Sequence, residues 1–116
     1  MYHISTSRPD IKIAVVRCET VSEVCPGTGC FKAFNEKKLH FDRYGKEDAI
    51  IGFFTCGGCP GRRVYRLVKS LKKHGVSVVH LSSCMQTEKY PPCPHTDSII
   101  KIIEDAGMEV VKGTHH

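Results

Sequence analysis

The chain has 116 residues, of which 41% are hydrophobic and 25% charged, and it carries a formal net charge of +5. That length suits one compact domain rather than two ordinary ones, and no apolar run approaches the roughly 18 residues that a membrane span needs. The basic excess invites a nucleic-acid partner, but six of the cations stand together between Arg62 and Lys73, where a solvated helix face accounts for them and argues against that partner.

Taken in chain order, the opening segment Met1 to Asp10 mixes Ser5, Thr6, Ser7, Arg8 and Pro9 and lacks the apolar stretch of a secretory signal. The expectation is a flexible N-terminal segment over 1–10, a single domain over 11–116, and a cytoplasmic location. Ile11 to Val16 (IKIAVV) is a nearly unbroken apolar run rich in β-branched residues, the pattern of a strand buried on both faces. A long segment, Arg17 to Gly27, follows with Cys18 and Cys25. Thr28 to Lys38 then predicts a helix that holds Cys30 and turns Phe31 and Phe34 inward. Ala49 to Phe54 (AIIGFF) predicts the second strand, and Thr55-Cys56-Gly57-Gly58-Cys59-Pro60-Gly61-Arg62 occupies the turn after it.

The clearest helix is Gly61 to His74, where Val64, Leu67, Val68 and Leu71 fall at i, i+3, i+4 and i+7. Pro60 near its first turn and Gly75 just past its end each stand where their backbone preference fits. Val76 to Leu81 (VSVVHL) predicts the third strand, with His80 as a satisfied core histidine, and Ser82 to His95 forms a second long loop carrying Cys84, Cys93 and His95. A helix over Asp97 to Ala106 buries Ile99, Ile100 and Ile103, is capped by Thr96 or Asp97, and stops at Gly107. Met108 to Val111 predicts a short fourth strand, with His115 beyond it. Strands alternating with helices imply right-handed βαβ units. The expected fold is therefore α/β, three-layer, with a mostly parallel four-stranded sheet of flavodoxin-like or Rossmann-like type.

Seven cysteines in a chain of this length stand out, and an odd count without an export signal favours metal binding or thiol chemistry over a disulfide scaffold. Cys56 and Cys59 are two residues apart, so both sulfurs can face one point from a single turn, and the following helix with Arg62 and Arg63 favours thiolates there. Each strand delivers a candidate ligand to its carboxyl end: Cys18, then Cys56 and Cys59, then Cys84, then His115. That edge is where open α/β sheets bind ligands. Cys18, Cys56, Cys59 and Cys84 would form the four-thiolate tetrahedral site that zinc accepts, and Cys25, Cys30, Cys93, His95 and His115 would complete a second site or substitute in the first. Four thiolates on one Zn²⁺ would carry −2 and lower the chain's charge to about +3, so part of the basic excess balances the site. Against this stands ordinary packing: a free cysteine is often an inert core residue, and Cys30 is the foremost candidate for that.

With Arg17-Cys18, Cys25-Pro26-Gly27-Thr28-Gly29-Cys30, Phe53 to Arg62, His80 to Cys84, Pro92-Cys93-Pro94-His95 and Gly113-Thr114-His115 in place, the chain resembles the CGGC domain family from about Ile11 to His115. The resemblance implies a metal-binding, zinc-binding role and carries no established reaction. Three function classes follow. The lead is a metal-binding protein whose partner is a metal ion, with zinc first and an iron–sulfur cluster as the alternative, although the common ferredoxin spacings are missing. The second is thiol redox catalysis, because CxxC opening a helix after a strand is the thioredoxin-like arrangement. The third is phosphate or arsenate chemistry through C-x₅-R from Cys56 to Arg62, with Asp97 an acid at the start of the helix after the third strand's loop. No feature singles out a protein partner.

Overall fold

Four β-branched runs and three amphipathic stretches become a three-layer sandwich in the computed structural model, which describes residues 11–19, 25–58, 61–83 and 95–114. In chain order the elements are β1 (Lys12–Arg17), α1 (Thr28–Glu36), a 3₁₀ turn (Leu39–Phe41), β2 (Ala49–Thr55), α2 (Arg62–Lys73), β3 (Val76–Leu81), α3 (Thr96–Asp105) and β4 (Glu109–Lys112). Every pairing is parallel and the strand order is β2-β1-β3-β4. This is the flavodoxin-like order, which reverses direction between β1 and β3.

The side-chain period of two along β1 divides the core. Ala14 and Val16 face α2 and α3 and pack with Val64, Val68, Val79, Leu81, Ile99 and Ile103. Ile13 and Val15 face the other way and pack with Ala33, Phe34, Phe41 and Tyr44. A strand with buried residues on both faces must be apolar throughout, and β1 from Ile13 to Val16 is fully buried.

The predicted elements are all present, with ends displaced by one or two residues. Three local expectations change. Phe31 does not turn inward: it is 38% exposed and lies on Phe53 of β2 with ring centroids 4.7 Å apart. Helix α1 stops at Glu36 because Lys37 takes a left-handed conformation (φ 55, ψ 50), from which its amide and that of Lys38 return to the carbonyls of Phe34 and Ala33. Lys37 Nζ lies 3.9 Å from the Phe34 ring centroid, an attraction that helps hold that turn. Finally, neither Thr96 nor Asp97 caps α3 with its side chain. His95 occupies the capping position, and Asp97 lies inside the first turn, where its carboxylate complements the positive helix end. The N-terminal segment 1–10 lies outside the described residues.

Candidate functional site

The carboxyl edge of the sheet is assembled by register. Arg17 pairs with Thr55, and the Cys56 amide donates to the Arg17 carbonyl at 2.8 Å, so Cys18 and Cys56 leave adjacent strand ends together. Cys18 lies two residues beyond Val16 and keeps its facing. Cys18, Cys25 and Cys56 all pack against the core beneath α2 and α3. Cys56 is buried and the other two are half-buried.

The turn after Cys56 is wound tightly onto the start of α2. Gly57, Gly58 and Gly61 have φ of 80, 91 and 89, and the Arg63 amide donates to the Cys56 carbonyl at 3.1 Å. A Cβ on Gly57 would lie 2.7 Å from Arg63 Cβ. Two cations, Arg62 and Arg63, occupy the first turn of α2, where the helix dipole disfavours positive charge. Arg63 is offset by Glu19, which also accepts from the Thr55 hydroxyl. Arg62, the arginine of the C-x₅-R spacing, is exposed; Arg63 is the one turned toward the Cys56 turn.

Cys30 stands apart from these three. In the first turn of α1 it is buried, and its thiol donates to Thr114 Oγ1 at 3.2 Å and lies 3.7 Å from Ser82 Oγ. Ser83 and Thr114 close the network, the Thr114 amide donating to Ser83 Oγ at 2.9 Å and the Ser83 amide to Thr114 Oγ1 at 3.2 Å. This knot ties the end of β3 to the end of β4. His95 is half-buried at the α3 capping position.

Sequence reasoning identified His80 as a core histidine but missed its partners. The imidazole stacks on Phe41 with centroids 4.5 Å apart, donates from Nδ1 to the Gly113 carbonyl at 2.8 Å, and accepts from the Tyr44 hydroxyl at 2.7 Å through Nε2. Burial first, then the neighbouring Arg43 and His40 side chains, lowers its pKa to about 4, against the opposing pull of the Gly113 hydrogen bond. Burial likewise raises Tyr44 to about 12. Arg43 closes this side of the molecule with a two-pronged ion pair to Glu109, both contacts 2.9 Å. That pair holds the Glu109 carboxyl below its usual range. No periodic signal marks Tyr44, and only the proximity of residues 36 apart makes it a partner of His80.

Of the nine candidate ligands, Cys18, Cys25, Cys30, Cys56 and His95 lie among the described residues, and Cys59, Cys84, Cys93 and His115 lie outside them. The four described cysteines are free thiols. Among the described residues no three His, Cys, Asp or Glu side chains stand where they could hold one metal ion. No helix among them is long and apolar enough to cross a membrane.

Residues 12–115 match the model of the CGGC domain. A protein of Methanocaldococcus jannaschii named Uncharacterized protein MJ0582 is 41% identical over 114 residues, covering 90% of this chain and 87% of that protein. A second from the same organism, Uncharacterized protein MJ0766, is 42% identical over 66 residues, covering 56% of this chain and 98% of that protein. No solved structure matches the chain.

Proposed function

The chain belongs to the CGGC domain family, and from that premise we propose that it is a metal-binding protein whose ion sits at the carboxyl edge of the sheet, with zinc the preferred metal. The observation that carries this is the meeting of Cys18 and Cys56 at adjacent strand ends, with Cys25 on the same side, all free thiols. Soft thiolate ligands suit zinc or an iron–sulfur cluster rather than magnesium or calcium. The described cysteines fit the donor type and supply part of a shell. Cys59 and Cys84 would complete it, since the CGGC turn carries the one and the end of β3 leads to the other. Bound there, zinc would cross-link strand ends or act as a Lewis acid.

Cys30 is assigned a different role. Its thiol is engaged by Thr114 on the opposite side of the sheet from Cys56, which argues for structure rather than ligation. The test is metal analysis of untagged protein purified anaerobically, with an absorption spectrum to separate zinc from iron–sulfur. Cys56→Ser and Cys59→Ser are each expected to abolish most metal binding, whereas Cys30→Ser costs less. A Cys56→Ser, Cys59→Ser double variant that keeps its full metal complement would instead support dithiol redox chemistry at the start of α2, the reading favoured by the position of Cys56 before that helix.

A further inference from the structure

Helix α2 carries six cations and no carboxylate. Arg62, Arg66, Lys69 and Lys73 follow one another at spacings of three or four residues, where like charges destabilise a helix. Arg63 is offset by Glu19 at 3.4 Å, and Lys72 donates to the Gly107 carbonyl at 3.1 Å. Arg62, Arg66 and Lys69 are exposed and, among the described residues, form no ion pair with a carboxylate.

These cations border a groove rather than a flat face. Between α2 and α3 lies a depression of ≈ 600 Å³ with Val68, Ile102 and Ala106 as its apolar lining. A second, of ≈ 380 Å³, continues it to Gly61 and Ser98 at the starts of the two helices. Tyr65 and Ile102 line both, so the two form one groove. Tyr65 is 70% exposed. A solvated helix face has no need of an aromatic ring beside two partly covered aliphatic side chains, whereas a docking surface uses Tyr and Arg around an apolar centre. The α3 wall adds one carboxylate, Asp105, already paired with Lys101 of its own helix at 3.4 Å. The groove therefore has an apolar centre, a basic α2 wall and a nearly neutral α3 wall.

We propose that the groove between α2 and α3 docks an acidic amphipathic helix of a partner protein, its apolar seam on Tyr65 and Ile102 and its carboxylates along Arg62, Arg66 and Lys69. Arg62 and Lys72 stand ten residues apart, so the groove runs about 15 Å along α2, room for roughly three turns of a bound helix. Charge complementarity selects the occupant. A second copy of this chain would bring another basic α2 and a net charge of +5 to the same place. A nucleic acid would meet the Asp105 carboxylate and an aliphatic lining that gives a phosphodiester nothing to bind, with Tyr65 the one ring on which a base could stack. The groove uses none of the residues assigned above to the metal.

The test titrates the full chain with a synthetic helical peptide of about 14 residues, with leucines at i, i+3, i+4 and i+7 and glutamates on the flanks. The comparison probes are a peptide of the same composition in scrambled order, one with lysines in place of the glutamates, and a short single-stranded RNA. Fluorescence anisotropy of labelled probes gives affinities, and NMR of the chain locates the contact. The expected result is saturable binding of the ordered acidic peptide with movement of the Tyr65 and Ile102 resonances, at least about tenfold weaker binding of the scrambled peptide, and no binding of the lysine peptide. Tyr65→Ala and an Arg66→Glu, Lys69→Glu double variant should each weaken binding at least about tenfold while circular dichroism stays that of the parent, since these side chains are exposed. The parent titration decides even where a variant folds poorly. Absence of saturable binding, equal affinity for the scrambled peptide, or folded variants that bind like the parent would overturn the proposal. RNA bound more tightly than the acidic peptide would overturn it in favour of a nucleic acid, and movement of the Tyr65 resonances with concentration of the chain alone in favour of a second copy. Peptide binding that is the same before and after chelation sustains the groove whether or not the metal reading stands.

Discussion

At position 80 the chain encloses an imidazole between Phe41, Tyr44 and the Gly113 carbonyl, and the enclosure dictates the protonation state. The ring must be neutral to donate from one nitrogen and accept at the other, and burial lowers its pKa to about 4 from an ordinary 6.5. The unfolded chain therefore takes up this proton first as pH falls. Stability from this residue is fully present above pH 6.5 and is lost between there and pH 4, by up to about 3 kcal/mol. Denaturant unfolding across that range should show the decline, and His80→Leu should flatten it while lowering stability at pH 7, because Tyr44 and Gly113 lose their partner. An equal slope in both proteins would assign the pH dependence elsewhere. Cys30 teaches a related lesson about single residues. Its type suggests a ligand or inert packing, and the structure adds a hydrogen bond from its thiol to Thr114 Oγ1 within a knot of hydroxyls.

Among the elements, the start of the turn from β2 into α2 shows how backbone and space act together. At Gly57 a side chain would meet both a left-handed backbone and Arg63 Cβ at 2.7 Å, whereas at Gly58 the backbone is left-handed but the space is open. Gly57→Ala should therefore cost about 2–3 kcal/mol and disturb metal binding, and Gly58→Ala about 1 kcal/mol with metal retained. Unfolding free energies and metal content of the two variants check the ranking; equal costs would show that the turn can shift away from Arg63. The strands and helices were legible because burial imposes a period, and β3 was read to the residue. The placing of Cys18 and Cys56 at one edge was legible too, since parallel topology alone brings strand ends together. The caps were not: Asp97 and Thr96 have the right chemistry, but which residue leaves the helical conformation is decided by the chain entering the helix. The contacts of Arg17, Tyr44 and the Ser82–Ser83–Thr114 knot were not legible either, although Arg17, Ser82, Ser83 and Thr114 stand in the motifs that carry the family resemblance. Their partners lie up to 84 residues away and share no periodic pattern.

For the molecule as a whole, the sheet is held by three parallel pairings and both faces are covered by helices, so a metal at the carboxyl edge would add to a core that already exists. Chelation should lower the melting temperature without abolishing folding, by about 10 °C when the ion had been present at about 100 times its dissociation constant. A scan that does not move on chelation and zinc addition would count against the metal. The strand order has a further bearing on how such a chain comes into being. β1 is made first yet ends up central, flanked by strands that begin at Ala49 and Val76. On the ribosome it must wait for both. From Arg17 to Leu81 is 81 − 17 = 64 residues, or roughly 3–13 s of synthesis at about 5–20 residues per second. During that time the nascent Ile-Ala-Val-Val segment lacks its β3 neighbour, and until β2 is made it has no strand partner at all, so aggregation and chaperones compete for it while the sheet is still incomplete.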